Sequence, residues 1–204
     1  PDLPPETRAT VEEPHPFLTD RRVRQAMSMA IDRELLNEIG YGQAGRPTCN
    51  LVPAPPIYSS DNTECMTQDL EAAKALLDEA GWQDQDGDGV REKDGMRLSL
   101  LFQTSTNAVR QDFQALIKDW WNQIGIEVEL RYEDVPTWLN RIYAEYDFEM
   151  NVNYFYQLPD PVLGVHRHYG TDQIRQGTHF VNSSRYSNPE LDALLASGAQ
   201  EPDA

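Results

Sequence analysis

The sequence predicts an α/β fold with a mixed β-sheet flanked by helices. Residues 97–104, with Leu98, Leu100, Leu101 and Phe102, predict a strand, while residues 126–132 alternate apolar with charged side chains, as a half-buried strand does. Between them, residues 107–124 place apolar side chains at helical spacing. Strands that alternate with helices in this way are typical of α/β layers.

The first predicted helix follows Asp20, whose carboxylate suits an N-cap position. Apolar residues recur at helical spacing as far as residue 39 and predict one continuous helix with a single buried face, made of Val23, Met27, Ala30, Ile31, Leu35 and Ile39. Gly40 is expected to end this helix, and a Pro-rich loop follows over residues 41–66.

A second helix is predicted between Asp69 as its N-cap and Gly81 as its terminator. Leu76, Leu77 and Trp82 are expected to pack this helix against the sheet. Further along the chain, the pattern predicts a helix at 136–145, a strand at 147–155, a short helix at 161–169 and a last helix that begins at Asn188.

The acidic composition argues against two classes of partner. The chain of 204 residues carries 34 acidic against 17 basic residues and a formal net charge of −17. Nucleic-acid binding requires Lys and Arg to replace phosphate counterions, and anionic membrane surfaces attract the same cations. No apolar run approaches the roughly 18–20 residues of a membrane helix, and no signal peptide is recognisable. Neither nucleic-acid binding nor membrane insertion is therefore expected of these residues.

No catalytic motif is present in the sequence. The chain contains no Gly-x-Ser-x-Gly, no His-Glu-x-x-His and no glycine loop that could cradle a phosphate. His166 and His168 are two residues apart, so they cannot share one face of a helix as a metal pair. The sequence therefore predicts a protein that is not an enzyme.

Cys49 and Cys65 flank a loop that is rich in proline and serine. An even number of cysteines around such a loop fits a disulfide formed in an oxidising compartment. The alternative is a pair of free thiols, since two cysteines without nearby histidines make a poor zinc site. We expect the disulfide, because little else in the loop can hold it in place.

An acidic turn at residues 84–89 resembles the start of an EF-hand calcium loop. Asp84, Asp86 and Asp88 occupy relative positions 1, 3 and 5, with Gly89 at position 6. Position 12 is Gly95, where an EF-hand has a bidentate glutamate. Two interpretations stay open, a calcium site that stiffens the turn and a plain acidic turn without any cofactor.

Four blocks of sequence, at residues 16–33, 69–95, 122–130 and 186–195, occur in an order typical of one family. The first block contains the pattern Arg-Val-Arg-x-Ala-x-x-x-Ala-Ile-Asp-Arg, and the third joins a helix end to a strand through Gly-Ile. Together the blocks resemble the extracellular solute-binding proteins of family 5, the receptors of dipeptide, oligopeptide and nickel ABC importers.

The resemblance implies a two-lobed receptor of the periplasmic-binding-protein type, which holds a solute in the cleft between its lobes. Residues 17–204 resemble the second, smaller lobe of such a receptor as a single α/β domain, after an extended lead-in at 1–16. The implied partners are a peptide or related small solute and, for the full-length receptor, an ABC permease. The implied location is periplasmic or extracellular. The alternative function is a calcium-stabilised extracellular interaction domain without a transport role.

The resemblance also implies where the ligand binds, since a strand near 150–156 faces the cleft in this family. It implies a ligand wall that consists of Asn151, Asn153, Tyr154, Phe155, Tyr156, Gln157 and Asp160. Peptide-binding relatives anchor the α-amino group with a carboxylate, and the matching position here is Gln157, which carries no charge. This difference favours a modified peptide or an oligosaccharide over a free N-terminus, unless Asp160 replaces the carboxylate. Because side chains alternate along a strand, part of this run is expected to belong to the core.

Overall fold

The computed structural model describes residue 12 and residues 14–61, 65–155 and 160–201. Its centre is a three-stranded parallel sheet with helices packed against it. The helices are α1 (Arg21–Met29), α2 (Arg33–Gly40), α3 (Leu70–Glu79), α4 (Ala108–Gln123), α5 (Val135–Asn140, continued by a π-helical turn at Arg141–Glu145), α6 (Pro161–Tyr169) and α7 (Pro189–Gly198). The strands are β1 (Glu92–Lys93), β2 (Met96–Arg97), β3 (Ser99–Ser105), β4 (Glu127–Glu133) and β5 (Met150–Asn151).

The strand order of the main sheet is β4-β3-β5, and β3 runs parallel to both of its neighbours. The strands β1 and β2 pair antiparallel in a small sheet of their own. The predicted α/β fold class is therefore confirmed, with parallel and antiparallel pairs in two separate sheets.

Within the described part of the chain, no helix is both long enough and apolar enough to cross a membrane.

The core lies between the sheet and the helices α1, α3 and α4. Leu100 and Phe102 on β3 are 2% exposed, and α4 covers them with Ile117 and Trp121. The indole N–H of Trp121 also donates a hydrogen bond to the carbonyl oxygen of Met27 at 2.9 Å. This bond ties α4 to the end of α1, so one side chain connects the sheet layer to the first helix.

The structure breaks the predicted helix over residues 21–39 into two, which corrects the sequence-based expectation. Helix α1 stops at Met29, and the Asp32 carboxylate then accepts a hydrogen bond from the backbone N–H of Leu35, at 2.9 Å, as the N-cap of α2. Asp favours a cap over a helix interior because its carboxylate bonds to free backbone N–H groups. The change of direction leaves Leu35 and Ile39 exposed by 36% and 49%, so they do not belong to the predicted buried face.

The predicted strand at 147–155 is also too long. Strand β5 comprises only Met150–Asn151, followed by a bond from the N–H of Val152 to the carbonyl oxygen of Gln103 at 3.0 Å. Beyond it, the Asn153 side-chain oxygen accepts the backbone N–H of Tyr154 at 2.8 Å. Asparagine forms such local bonds in competition with a sheet ladder. The segment after β5 is therefore a loop.

Several other local predictions are confirmed. Asp20 and Asp69 cap α1 and α3, and Gly81 follows α3 with a φ of +88°, a backbone conformation that favours glycine. Cys49 and Cys65 form the expected disulfide, with their Cα atoms 5.7 Å apart. This bridge closes the loop that follows α2.

Candidate functional site

The loop that follows β5 carries the predicted ligand wall, and the structure describes it as far as Phe155. Asn151 and Asn153 are half-buried, whereas Tyr154 and Phe155 are exposed by 41% and 47%. Tyr156 and Gln157 lie outside the described residues. The Asp160 carboxylate accepts a hydrogen bond from the backbone N–H of Val162 at 2.8 Å and so caps α6.

A cavity of about 460 Å³ opens beside this loop. Its walls come mainly from β3, α4, β5 and α6 and from the segment before α7. The lining residues are Ile31, Phe102, Ile117, Trp121, Met150, Asn151, Val152, Asn153, Phe155, His168, Tyr169, Val181, Ser183 and Ser184. Three of the predicted residues, Asn151, Asn153 and Phe155, line it. Met150 and Val152 line it as well, so the run from residue 150 to residue 153 contacts the cavity without alternation.

Tyr154 is not among the residues that line this cavity, and its ring contacts other groups. The Arg110 guanidinium lies 4.6 Å from the centroid of the Tyr154 ring, a distance typical of a cation–π contact. The same ring lies 6.1 Å from the ring of Phe180. The predicted wall is thus divided between two surfaces, and neither Tyr154 nor Asp160 lines the cavity.

The apolar floor of the cavity follows from the core packing. Phe102 on β3 and Trp121 on α4 are in contact, with ring centroids 5.1 Å apart, and both are 2% exposed. Ile117, one turn before Trp121, extends this surface. The floor is therefore rigid, because the same side chains hold the helix on the sheet.

The lining of the cavity also includes polar residues, among them Asn151, Asn153 and His168. The side-chain amide of Asn153 donates to the hydroxyl oxygen of Tyr143 at 3.0 Å, which fixes its orientation. Asn151 Oδ1 and His168 Nδ1 are buried, and no described residue provides either atom with a hydrogen-bond partner. The rings of Phe155 and His168 lie 3.8 Å apart between their centroids. Aromatic and amide groups thus converge on one side of the cavity.

The titratable residues of the cavity are uncharged near neutral pH. Burial lowers the pKa of His168, and the neighbouring Arg167 guanidinium lowers it further. Burial also raises the pKa of the Tyr169 phenol above its ordinary value. A lowered histidine pKa and a raised tyrosine pKa both favour the neutral form. The cavity can therefore bind through van der Waals contact and neutral hydrogen bonds.

Sequence reasoning missed the part of the cavity formed by Val181, Ser183 and Ser184. Asn182 positions this segment, because its side-chain amide donates to the carbonyl oxygens of Gly170 at 3.0 Å and Tyr186 at 2.8 Å. No periodic pattern marks these residues in the sequence. His168 and Tyr169 lay on a correctly predicted helix, but their approach to the loop after β5 depends on tertiary contacts.

The acidic turn gathers three exposed carboxylates, since one oxygen each of Asp84, Asp86 and Asp88 lies within 4.8 Å of the others. Most of their oxygens already accept hydrogen bonds. Asp84 accepts the backbone N–H groups of Gly87 at 2.7 Å and Gly89 at 3.0 Å. Asp88 forms an ion pair with Arg97 at 2.7 Å, which also neutralises part of the negative charge.

We propose that this turn keeps its conformation without a bound ion. We expect the melting temperature to be the same in calcium and in excess chelator, because backbone N–H groups and Arg97 already occupy the carboxylate oxygens. A calcium-dependent rise above about 4 °C, near the effect of 1 kcal/mol in a domain of this size, would contradict this. The control is Asp86→Asn, which should abolish any such rise if an ion binds in the turn.

Comparison with known proteins reveals close structural and sequence relatives. The family model "Bacterial extracellular solute-binding proteins, family 5 Middle" matches residues 6–175. The oligopeptide-binding protein AppA of Bacillus subtilis is 29% identical over 191 residues, which cover 90% of this chain and 34% of AppA. The periplasmic murein peptide-binding protein MppA of Escherichia coli is 28% identical over 192 residues, which cover 89% of this chain and 32% of MppA.

A solved structure of AppA from Bacillus subtilis, in complex with a nonapeptide, matches with a TM-score of 0.82 and 27% identity. The match covers 93% of this chain and 37% of the AppA chain. The chain thus spans about a third of the length of the relatives it matches. Since the family model covers most of the sequence and the fold agrees, the chain belongs to the bacterial extracellular solute-binding proteins, family 5.

Proposed function

We propose that this chain forms the smaller lobe of a two-lobed solute receptor and contributes one wall of the cleft in which a solute is captured for an ABC importer. The observation that carries this proposal is the cavity beside the loop after β5, next to the half-exposed ring of Phe155. In open α/β sheets, ligands bind beyond the carboxyl ends of the strands, and this loop begins where β5 ends.

A peptide is the solute class that the site supports best. The solved AppA structure contains a nonapeptide, and MppA is named for murein peptides. The cavity is lined by uncharged residues, among them Asn151, Asn153 and Phe155, a composition that suits the side chains of a peptide. A modified peptide or an oligosaccharide is the second candidate, because uncharged amide and aromatic groups also suit sugars.

The full-length receptor would work by binding and release, without chemistry. The partner that would receive the solute is a membrane permease of the ABC type. The receptor itself would be periplasmic or extracellular. The disulfide between Cys49 and Cys65 supports an oxidising compartment. Within this scheme the lobe supplies part of the recognition surface, and hinge closure against a second lobe would complete it.

The experiment that tests this function is mass spectrometry of the solute carried by the full-length receptor, purified from its native compartment under non-denaturing conditions. We expect a peptide or a related small solute, released unchanged on denaturation. A receptor that carries no solute and binds none from a mixed peptide library would contradict the proposal. Chemical conversion of a bound peptide during incubation would contradict the non-catalytic role.

A further inference from the structure

We propose that Arg33 is a positioning residue that connects the disulfide to one wall of the cavity beside the loop after β5. The connection runs through residues 65–69, here called the anchor segment, which begins at the disulfide and ends at the N-cap of α3. The inference rests on the proposed function, since the connection affects binding only if this cavity faces the solute. Arg33 itself does not line the cavity.

The Arg33 side chain joins the last turn of α1 to the anchor segment. Its guanidinium donates to the carbonyl oxygen of Ser28 at 2.9 Å and to that of Cys65 at 2.8 Å. It also donates to the Ser28 hydroxyl oxygen at 2.9 Å and, at 3.4 Å, to the carbonyl oxygen of Ile31. Because Cys65 is bonded to Cys49, the guanidinium contacts the anchor segment at the disulfide itself. One planar group with several donors thus holds separate stretches of backbone together.

The partners of Arg33 are backbone groups and a hydroxyl. No carboxylate among the described residues pairs with it, although the chain has a net charge of −17. Burial lowers the pKa of this guanidinium, which stays charged as arginine does in proteins. A cation is favoured at this place because the last carbonyl groups of a helix carry partial negative charge. The hydrogen bonds of Arg33 therefore fix the position of the backbone.

Two further hydrogen bonds fasten the anchor segment to the end of α1. The side-chain amide of Gln68 donates to the carbonyl oxygen of Ala30 at 2.9 Å. The backbone N–H of Asp69 donates to the carbonyl oxygen of Met29, also at 2.9 Å. Both bonds lie at the α3 end of the anchor segment, away from the disulfide. Of the three contacts, the one made by Arg33 is therefore the first that a change at the disulfide reaches.

The end of α1 reaches the cavity at two points. Ile31, which follows α1, lines the cavity with its side chain. The carbonyl oxygen of Met27 accepts the indole N–H of Trp121, and Trp121 also lines the cavity. Since close-packed groups transmit displacements, a shift of this turn moves both lining residues. The disulfide, Arg33 and the cavity wall thus form one connected series of contacts.

NMR signals of the 204-residue chain test this connection directly. The reporters are the Ile31 methyl groups and the Trp121 indole N–H, and the control is the Ile142 methyl groups in the separate apolar cluster around Trp138. Dithiothreitol reduces the disulfide to two thiols and is itself oxidised to a cyclic disulfide. We expect reduction to shift both reporter signals and to leave the Ile142 signals in place. Unchanged reporters in a reduced chain that circular dichroism shows to be folded would overturn the proposal.

Substitutions separate the role of Arg33 from a general loosening of the fold. Arg33→Met keeps the aliphatic length but removes every donor, so the reporters should be shifted already in the oxidised state and should not respond to reduction. Arg33→Lys keeps a charged donor and should restore most of the response, and it serves as the test if Arg33→Met does not fold. Arg46→Met makes the same change at an exposed arginine and should leave the response intact. A full response to reduction in Arg33→Met, or its loss in Arg46→Met, would overturn the proposal.

Binding by the full-length receptor measures the consequence for the solute. The probe is a randomised library of cysteine-free nonapeptides, the length of the peptide in the AppA complex, and retained peptide is quantified by mass spectrometry. We expect reduction to weaken retention about fivefold, within the range of coupling between connected sites, and Arg33→Met to remove this dependence. If the receptor retains peptides equally in both redox states, the role of Arg33 is wrong and the receptor function stands. If it retains none in either state, the proposed peptide function is wrong.

Discussion

Replacing Trp121 with alanine is expected to lower the free energy of unfolding by about 4 kcal/mol, the usual cost of removing a buried tryptophan side chain. The ring is 2% exposed, packs on Phe102 and forms part of the cavity floor. Its N–H also bonds to the carbonyl oxygen of Met27, which lies 94 residues away along the chain. The substitution therefore removes packing between the sheet and α4 and a link to α1. Urea unfolding followed by circular dichroism measures the effect.

Two variants control this prediction. Trp121→Phe keeps an aromatic ring but leaves the Met27 carbonyl without its donor, so we expect a smaller loss of about 1–3 kcal/mol. Leu194→Ala changes a side chain that is 64% exposed and should alter stability by less than about 0.5 kcal/mol. If Trp121→Ala were no more destabilising than Leu194→Ala, the assigned position of Trp121 in the core would be wrong.

Removal of the disulfide in a Cys49→Ser/Cys65→Ser variant should cost about 3 kcal/mol in the chain-entropy model. The bridge closes a loop with a sequence separation of 16, and most of its effect arises from restricting the unfolded chain. Thermal unfolding with and without a reducing agent measures the effect. The reducing agent should destabilise the natural chain but leave the double-serine variant unchanged. Equal stability of the oxidised and reduced natural chain would contradict the prediction.

The parts of the fold that local chemistry controls could be predicted from the sequence. Asp20 and Asp69 are helix caps because their carboxylates bond to free N–H groups, and Gly81 ends a helix because it adopts positive φ readily. The prediction of one helix over residues 21–39 was wrong because apolar spacing continues through a break. There the cap at Asp32 prevailed over the periodic pattern, and Leu35 became exposed.

The candidate site could be predicted only in part. The family pattern located Asn151, Asn153 and Phe155, all of which line the cavity. The same pattern could not show that Tyr154 does not line the cavity, since the direction of each side chain depends on where β5 ends. The contribution of Ser184 comes from a segment that Asn182 holds through side-chain hydrogen bonds to the carbonyl oxygens of Gly170 and Tyr186. Such contacts leave no periodic signal in the sequence.

The central claim is that this chain provides one side of a cleft that a second lobe completes. Titration calorimetry tests it most directly, with the solute identified in the full-length receptor as ligand. We expect the receptor to bind that solute at least about 100-fold more tightly than the 204-residue chain, a difference of roughly 2.7 kcal/mol, because the chain alone offers only part of the contact surface. Equal affinity of the two proteins would contradict the claim.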